Sequence, residues 1–92
     1  HLPLFPLVEQ DLSIVVDEKI SWAQVSEAVS NHVHDAEFVE EYRGEQVPEG
    51  KKSLMFRFRL SGETGTLTAE AIDQMRSRLI KKLKYTIGAE MR

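Results

Sequence analysis

Hydrophobic and polar positions fall into blocks of two different periods along this chain. In Asp11-Leu-Ser-Ile-Val-Val16 the alternation and the β-branched residues predict a strand, with Leu12, Ile14 and Val16 on one face. The period then changes. Ser21 and Gln24 stand as the two halves of a capping box, and Trp22, Val25, Val29 and Val33 follow at helical spacing as one buried stripe. A second strand is expected from about Glu37 to Arg43. Its inward phase stays open, because Phe38 and Tyr42 fall on one face and Val39 on the other. Beyond a turn-rich connection, Gly44 to Gly50, lies the clearest strand, Ser53 to Leu60. Leu54, Phe56, Phe58 and Leu60 share one of its faces; Ser53, Met55, Arg57 and Arg59 share the other.

Ser61 to Gly65 reads as a loop. Thr68 predicts the N-cap of a longer helix, although Ala71 leaves the reciprocal half of a capping box empty. Ile72, Met75, Leu79 and Leu83 form the apolar stripe of this helix. Arg78, Lys81, Lys82 and Lys84 take its solvent side, where positive charge suits the negative end of the helix dipole. Gly88 marks the helix exit, and Ala89 to Arg92 a short closing strand. The order β-α-β-β-α-β predicts an α+β, ferredoxin-like split βαβ fold. Two helices cover one face of a four-stranded antiparallel sheet whose first and third strands are central, and the other face is left open.

Ninety-two residues suit a single domain spanning 1–92, and 41% hydrophobic with 29% charged residues is an ordinary globular balance. The lack of cysteine excludes disulfide scaffolds, thiolate metal sites and cysteine nucleophiles, and fits a reducing cytoplasm. No apolar run approaches the roughly 20 residues that cross a bilayer, so no membrane association is expected. The net charge of -3 hides a division. Residues 1–42 hold one base, Lys19, against nine acids; residues 43–92 hold eleven bases against six acids. Like charge gathered in one half of a chain can give a one-sided field even when the total is acidic.

On the expected open face stand Ser13, Val15, Met55, Arg57 and Arg59, with Glu90 and Arg92 as candidates from the last strand. Lys51, Lys52 and Arg43 extend the positive area. Arginines held on a rigid sheet pair with phosphates through a two-pronged guanidinium or stack on bases, so this surface suits an RNA backbone. The competing reading is that these arginines only keep the face soluble. RNA-recognition motifs place stacking aromatics outward on the central strands; here Phe56 and Phe58 take the inward phase instead. Catalytic constellations are poor. His32 and His34 diverge on a helix, Glu40-Glu41 and Asp17-Glu18 have no partner histidine, and no glycine-rich phosphate loop is present, so no catalysis is expected of this chain.

Tyr42-Arg-Gly44, followed by Pro48-Glu-Gly-Lys-Lys-Ser-Leu54, closely resembles the "YRG…EGxKSL" signature of one family. That family is the anticodon-binding domain ending the bacterial phenylalanyl-tRNA synthetase β chain. Phe5-Pro6 with Asp11 resembles its opening "FPxxxRD", Thr66-Leu67-Thr68 its "RTLT", and Gly88-Ala-Glu-Met-Arg92 its closing "GAxLR". The resemblance implies the same ferredoxin-like fold and a non-catalytic role in holding the anticodon stem-loop of the phenylalanine tRNA. The expected RNA contacts are Arg43, Lys51, Lys52, Ser53, Arg57, Arg59, Ser13 and Tyr42. It also implies an α2β2 assembly; His1 and the abrupt start suggest a fragment cut from a longer chain, or one carrying added residues. No cofactor is implied here; ATP and magnesium would serve the α subunit's catalytic domain. Three positions depart from the family: Gln10 and Gly65 replace arginines, and Glu40 an aspartate. The alternative function is a protein-interaction or regulatory module docking through the same open sheet.

Overall fold

The computed structural model describes residues 7–61 and 67–91. Its elements run β1 (Val8–Asp17), α1 (Trp22–Val29), β2 (Asp35–Tyr42), β3 (Lys51–Leu60), α2 (Ala69–Ile87) and β4 (Glu90–Met91). The four strands form one antiparallel sheet in the order β2-β3-β1-β4. β1 and β3 are central because they carry the most apolar residues. They pair along their whole length, from Val8 opposite Leu60 to Asp17 opposite Lys51.

Local chemistry sets the helix limits. The amide of Gln24 donates to Ser21 Oγ at 3.2 Å, and the Ser21 amide donates to Gln24 Oε1 at 2.9 Å, closing the expected capping box. α1 stops at Val29, a turn before the apolar stripe ends. There the Ser30 hydroxyl donates to the Glu27 carbonyl at 2.9 Å, a local bond that competes with helix propagation. Val33 still packs against the core, from the turn that follows. α2 begins with the Ala71 amide donating to Thr68 Oγ1 at 3.1 Å. It ends at Gly88, whose left-handed φ of 69° carries a penalty for any residue with a Cβ.

Both helices lie on the face carrying the even-numbered residues of β1 and β3. Phe56 and Phe58 are completely buried there, with Ile14, Val16, Leu54, Leu60, Val25, Val29, Leu79 and Leu83 around them. Trp22 stacks at a tilt on Phe56, ring centroids 5.6 Å apart, and Phe56 on Phe58 at 5.7 Å. Such pairs add about 0.5–1.5 kcal/mol each beyond the area they bury.

The phase of β2, open in the sequence, is settled by an irregularity. Asp35 to Phe38 pair with Arg59 to Phe56, and the ladder resumes at Glu40 opposite Met55, so Val39 is an extra residue. Phe38 therefore lies opposite Phe56 on the helix side, 6.1 Å from the Trp22 ring, while Tyr42 lies opposite Ser53 on the other face. Two residues four apart would share a face in a regular strand; one inserted residue separates them.

The inward phase of β3 carries a direct test. Phe56→Ala should cost about 3–5 kcal/mol in urea unfolding, while Met55→Ala, one residue away on the outer face, should cost less than half as much.

Candidate nucleic-acid interface

The register of the sheet assigns its outer face residue by residue, since directly opposed residues share a face. Glu9 meets Arg59, Asp11 meets Arg57, Ser13 meets Met55, Val15 meets Ser53 and Asp17 meets Lys51. β2 adds Asp35, Glu37, Glu40 and Tyr42, and β4 adds Glu90. Among the described residues, seven carboxylates (Glu9, Asp11, Asp17, Asp35, Glu37, Glu40, Glu90) thus stand with three cations, Lys51, Arg57 and Arg59.

The two arginines point outward, as the alternation of β3 requires, but they meet carboxylates before they meet solvent. Arg57 Nε lies 2.9 Å from Asp11 Oδ1 and 3.2 Å from Glu9, with Glu37 3.9 Å from its Nη1. Arg59 Nη1 donates to both Asp35 oxygens, at 3.0 and 2.9 Å, and Glu9 approaches its Nε at 3.6 Å. The hydrogen bond that Arg57 donates to Asp11 foremost, then the Asp11 charge, pushes the Arg57 pKa up; Asp35 does the same for Arg59. Their positive charge is already balanced within the sheet. The face as a whole keeps an excess of negative charge, which repels phosphate.

One end of this face is closed. Val15 and Ser53 are buried and Ser13 is half-buried, so solvent reaches the sheet mainly over Met55, the arginines and their carboxylates. Ser53 is engaged within the protein. Lys52 does not extend the positive area beside Lys51. In phase with Leu54 and Phe56, it turns to the helix side, where it is only 6% exposed and its Nζ lies 3.1 Å from Glu41. Arg43 binds the other Glu41 oxygen at 2.6 Å. Hydrogen bonds from Arg43 and then from Lys52 hold the Glu41 carboxyl below the usual carboxylate range. Among the described residues Lys51 forms no ion pair, and Arg43 remains half-exposed.

The Tyr42-Arg43-Gly44 string has a steric basis. A Cβ built on Gly44 would run into the Tyr42 hydroxyl and ring, so glycine is the residue that lets the ring fold back over the chain. Gln10 is explained as well. It lies on the helix side opposite Phe58, and its Oε1 accepts from Arg76 Nη1 at 3.2 Å. Arg76 also donates to the Asp11 carbonyl and sits over the Phe58 ring, 6.0 Å from its centroid. An arginine at position 10 would oppose Arg76; glutamine receives it. Gly65, Thr66, Phe5, Pro6 and Arg92 lie outside the described residues.

The unopposed cations are on the other layer. Arg78, Lys81, Lys82 and Lys84 of α2 form no ion pair among the described residues, and Tyr85 between them is 85% exposed. The sequence reading placed these bases correctly on the solvent side but passed over Tyr85. The available signal was an aromatic residue four positions after Lys81 on the face opposite the apolar stripe.

A split βαβ sheet with both helices on one side defines a ferredoxin-like domain, here with charge sorted between its layers. Residues 3–92 match the ferredoxin-fold anticodon binding domain, and the chain belongs to that family. Similar proteins include the phenylalanine–tRNA ligase β subunits of Clostridium acetobutylicum and Syntrophotalea carbinolica, 33% and 37% identical over 99% of this chain. The corresponding subunit of Dehalococcoides mccartyi is 37% identical over 96% of it. The chain spans 12%, 12% and 11% of these relatives.

Two consequences are measurable. Gly44→Ala should lower the unfolding midpoint by displacing Tyr42, and the effect should shrink in the Tyr42→Ala background, a double-mutant cycle that isolates the contact. Because Glu41 is more acidic folded than its usual 4.5, its contribution to stability is complete above that value. It disappears as pH falls through the lower folded value, so Glu41→Gln should flatten the acid limb of the stability–pH profile.

Proposed function

We propose that this chain binds the anticodon end of the phenylalanine tRNA as part of a phenylalanine–tRNA ligase β subunit. The observation that carries this reading is the end-to-end match to a domain family defined by anticodon binding. Attachment of phenylalanine, with ATP and magnesium, belongs in this reading to the catalytic domain of an α subunit, in a cytoplasmic α2β2 assembly. The domain supplies position and affinity, not reacting groups.

Of the residues expected at the interface, the surroundings of Lys51, Arg43 and Tyr42 favour RNA contact most, at the end of the β2–β3 hairpin. Lys51 stands opposite Asp17 but forms no ion pair among the described residues, Arg43 brings a half-exposed guanidinium, and Tyr42 a ring that lies over Gly44. Arg57 and Arg59 would bind phosphate in competition with Asp11 and Asp35 for their charge, which lowers their net contribution. Ser13, Ser53 and Lys52 support the strand and its ion pairs.

A second reading has one observation in its favour. The carboxylate excess of the outer sheet face suits docking on a basic protein surface.

Deleting residues 1–92 from the full-length chain, assembled with its catalytic partner, separates the readings. The expected result is loss of tRNA affinity and of kcat/KM for aminoacylation, with amino-acid-dependent ATP–pyrophosphate exchange unchanged. Retained tRNA affinity with a dissociated assembly would favour the protein-docking reading instead. Lys51→Gln with Arg43→Gln should reproduce part of the affinity loss and lower the slope of log K against log salt by about 1 to 2.

A further inference from the structure

The sequence and the sheet register together leave on the outside of α2 a row of bases that form no ion pair among the described residues. From Arg76 to Ile87 the helix carries five bases and no acid. At about 100° per residue, Lys81, Tyr85, Arg78 and Lys82 fall within an arc of roughly 100°. Lys81 lies opposite Leu79 and Leu83, which are buried against the sheet, and from it the arc turns through Tyr85 and Arg78 to Lys82 on the α1 side. The four residues rise over about two turns, roughly 10 Å of helix.

Helix-dipole complementarity explains why lysines gather near the C-terminus. It does not explain an 85%-exposed tyrosine in the middle of them, since an exposed aromatic side chain forgoes the burial that normally stabilises it. Nor does it explain the neighbouring surface. Between α1 and α2 runs a groove of about 520 Å³, lined by the polar residues Lys82, Gln24, Ser30, Asn31 and Thr86, one carboxylate, Glu27, and the apolar Ala28 and Ile87. Lys82 belongs to both the basic arc and the groove. A row of flexible cations, a free aromatic ring and a polar groove of that size are the parts with which proteins hold a single-stranded nucleic-acid segment.

We propose that the outer face of α2 is a second RNA contact, distinct from the hairpin end of the sheet. Arg78, Lys81 and Lys82 neutralise phosphates of an unpaired segment, Tyr85 stacks on one of its bases, and the α1–α2 groove receives the adjoining ribose or base. The proposal rests on the tRNA-binding reading above and assigns to it a surface. Charge decides between the two layers: a polyanion is repelled by the seven carboxylates of the sheet face and attracted by cations that form no ion pair among the described residues.

The test uses the full-length chain with its catalytic partner and a transcript of the phenylalanine tRNA. Arg78→Gln, Lys81→Gln and Lys82→Gln combined should lower the slope of log K against log salt by about 2, since each phosphate neutralised on a single strand contributes about 0.7. Tyr85→Ala should weaken binding about 5- to 150-fold while Tyr85→Phe retains it, because stacking needs the ring and not the hydroxyl. Thermal unfolding and ATP–pyrophosphate exchange should not change, as none of these side chains is buried. An unchanged slope in the triple variant, alongside a loss for Lys51→Gln with Arg43→Gln, would overturn the α2 contact and leave the tRNA-binding function standing. Loss of subunit association in the α2 variants, with tRNA affinity intact, would assign this face to a protein and overturn the proposal. If deletion of residues 1–92 leaves tRNA affinity unaltered, the tRNA-binding reading itself fails, and the α2 contact with it.

Discussion

Everything in this structure follows from the packing of Phe56 and Phe58 beneath the two helices. A strand offers only two phases, and burying one pair of phenylalanines fixes the direction of every other side chain on β3. The pairing of β3 with β1 and β2 then transmits that choice across the sheet, so the composition of the outer face is a consequence of the core. Trp22 on α1 and Leu79 and Leu83 on α2 seal the same cluster from the helix side. A slip of one residue would put Lys52 and Arg57 on exchanged faces and abolish both the core and the ion pairs.

The second organising feature is the separation of charge between layers. The acidic first half of the chain supplies β1 and β2, which flank β3 on both sides. Its two arginines are therefore placed between rows of carboxylates: Glu9 and Asp11 from one neighbour, Asp35 and Glu37 from the other. Such exposed pairs contribute little individually to stability, typically less than about 1 kcal/mol. Their larger effect is on recognition, because they remove the arginines from the supply of free positive charge. The bases of α2 have no acidic strand beside them and keep theirs. The molecule thus presents a negative sheet and a positive helix, although the whole chain has a net charge of only -3.

The strings that resemble the family signature also acquire physical content. Tyr42-Arg43-Gly44 is a ring folded over a residue without a side chain, followed by ion pairing of Arg43 and Lys52 around Glu41. The Val39 bulge lies just upstream and turns Tyr42 away from the core. Gln10, a departure from the family pattern, sits under Arg76 and not on the outer face, so its presence subtracts nothing from that surface. The position of a substitution in the sheet, more than its chemistry, decides which function it touches.

The period-two alternation of β3, the capping box at Ser21, the cap at Thr68 and the exit at Gly88 were all legible in the sequence, because each depends on neighbours within about five residues. So were the order of elements and the central position of the two most apolar strands. Even the inward turn of Lys52 was implied by its alternation with Leu54, although its position beside Lys51 suggested otherwise. The bulge at Val39 was not legible, since it is defined only by the ladder of the partner strand. Nor was the neutralisation of Arg57 by Asp11, 46 residues away. The net charge of a surface belongs to no single segment. It exists once distant strands are brought into register, and at that step the tertiary structure decided which basic residues of this chain remain free to meet a polyanion.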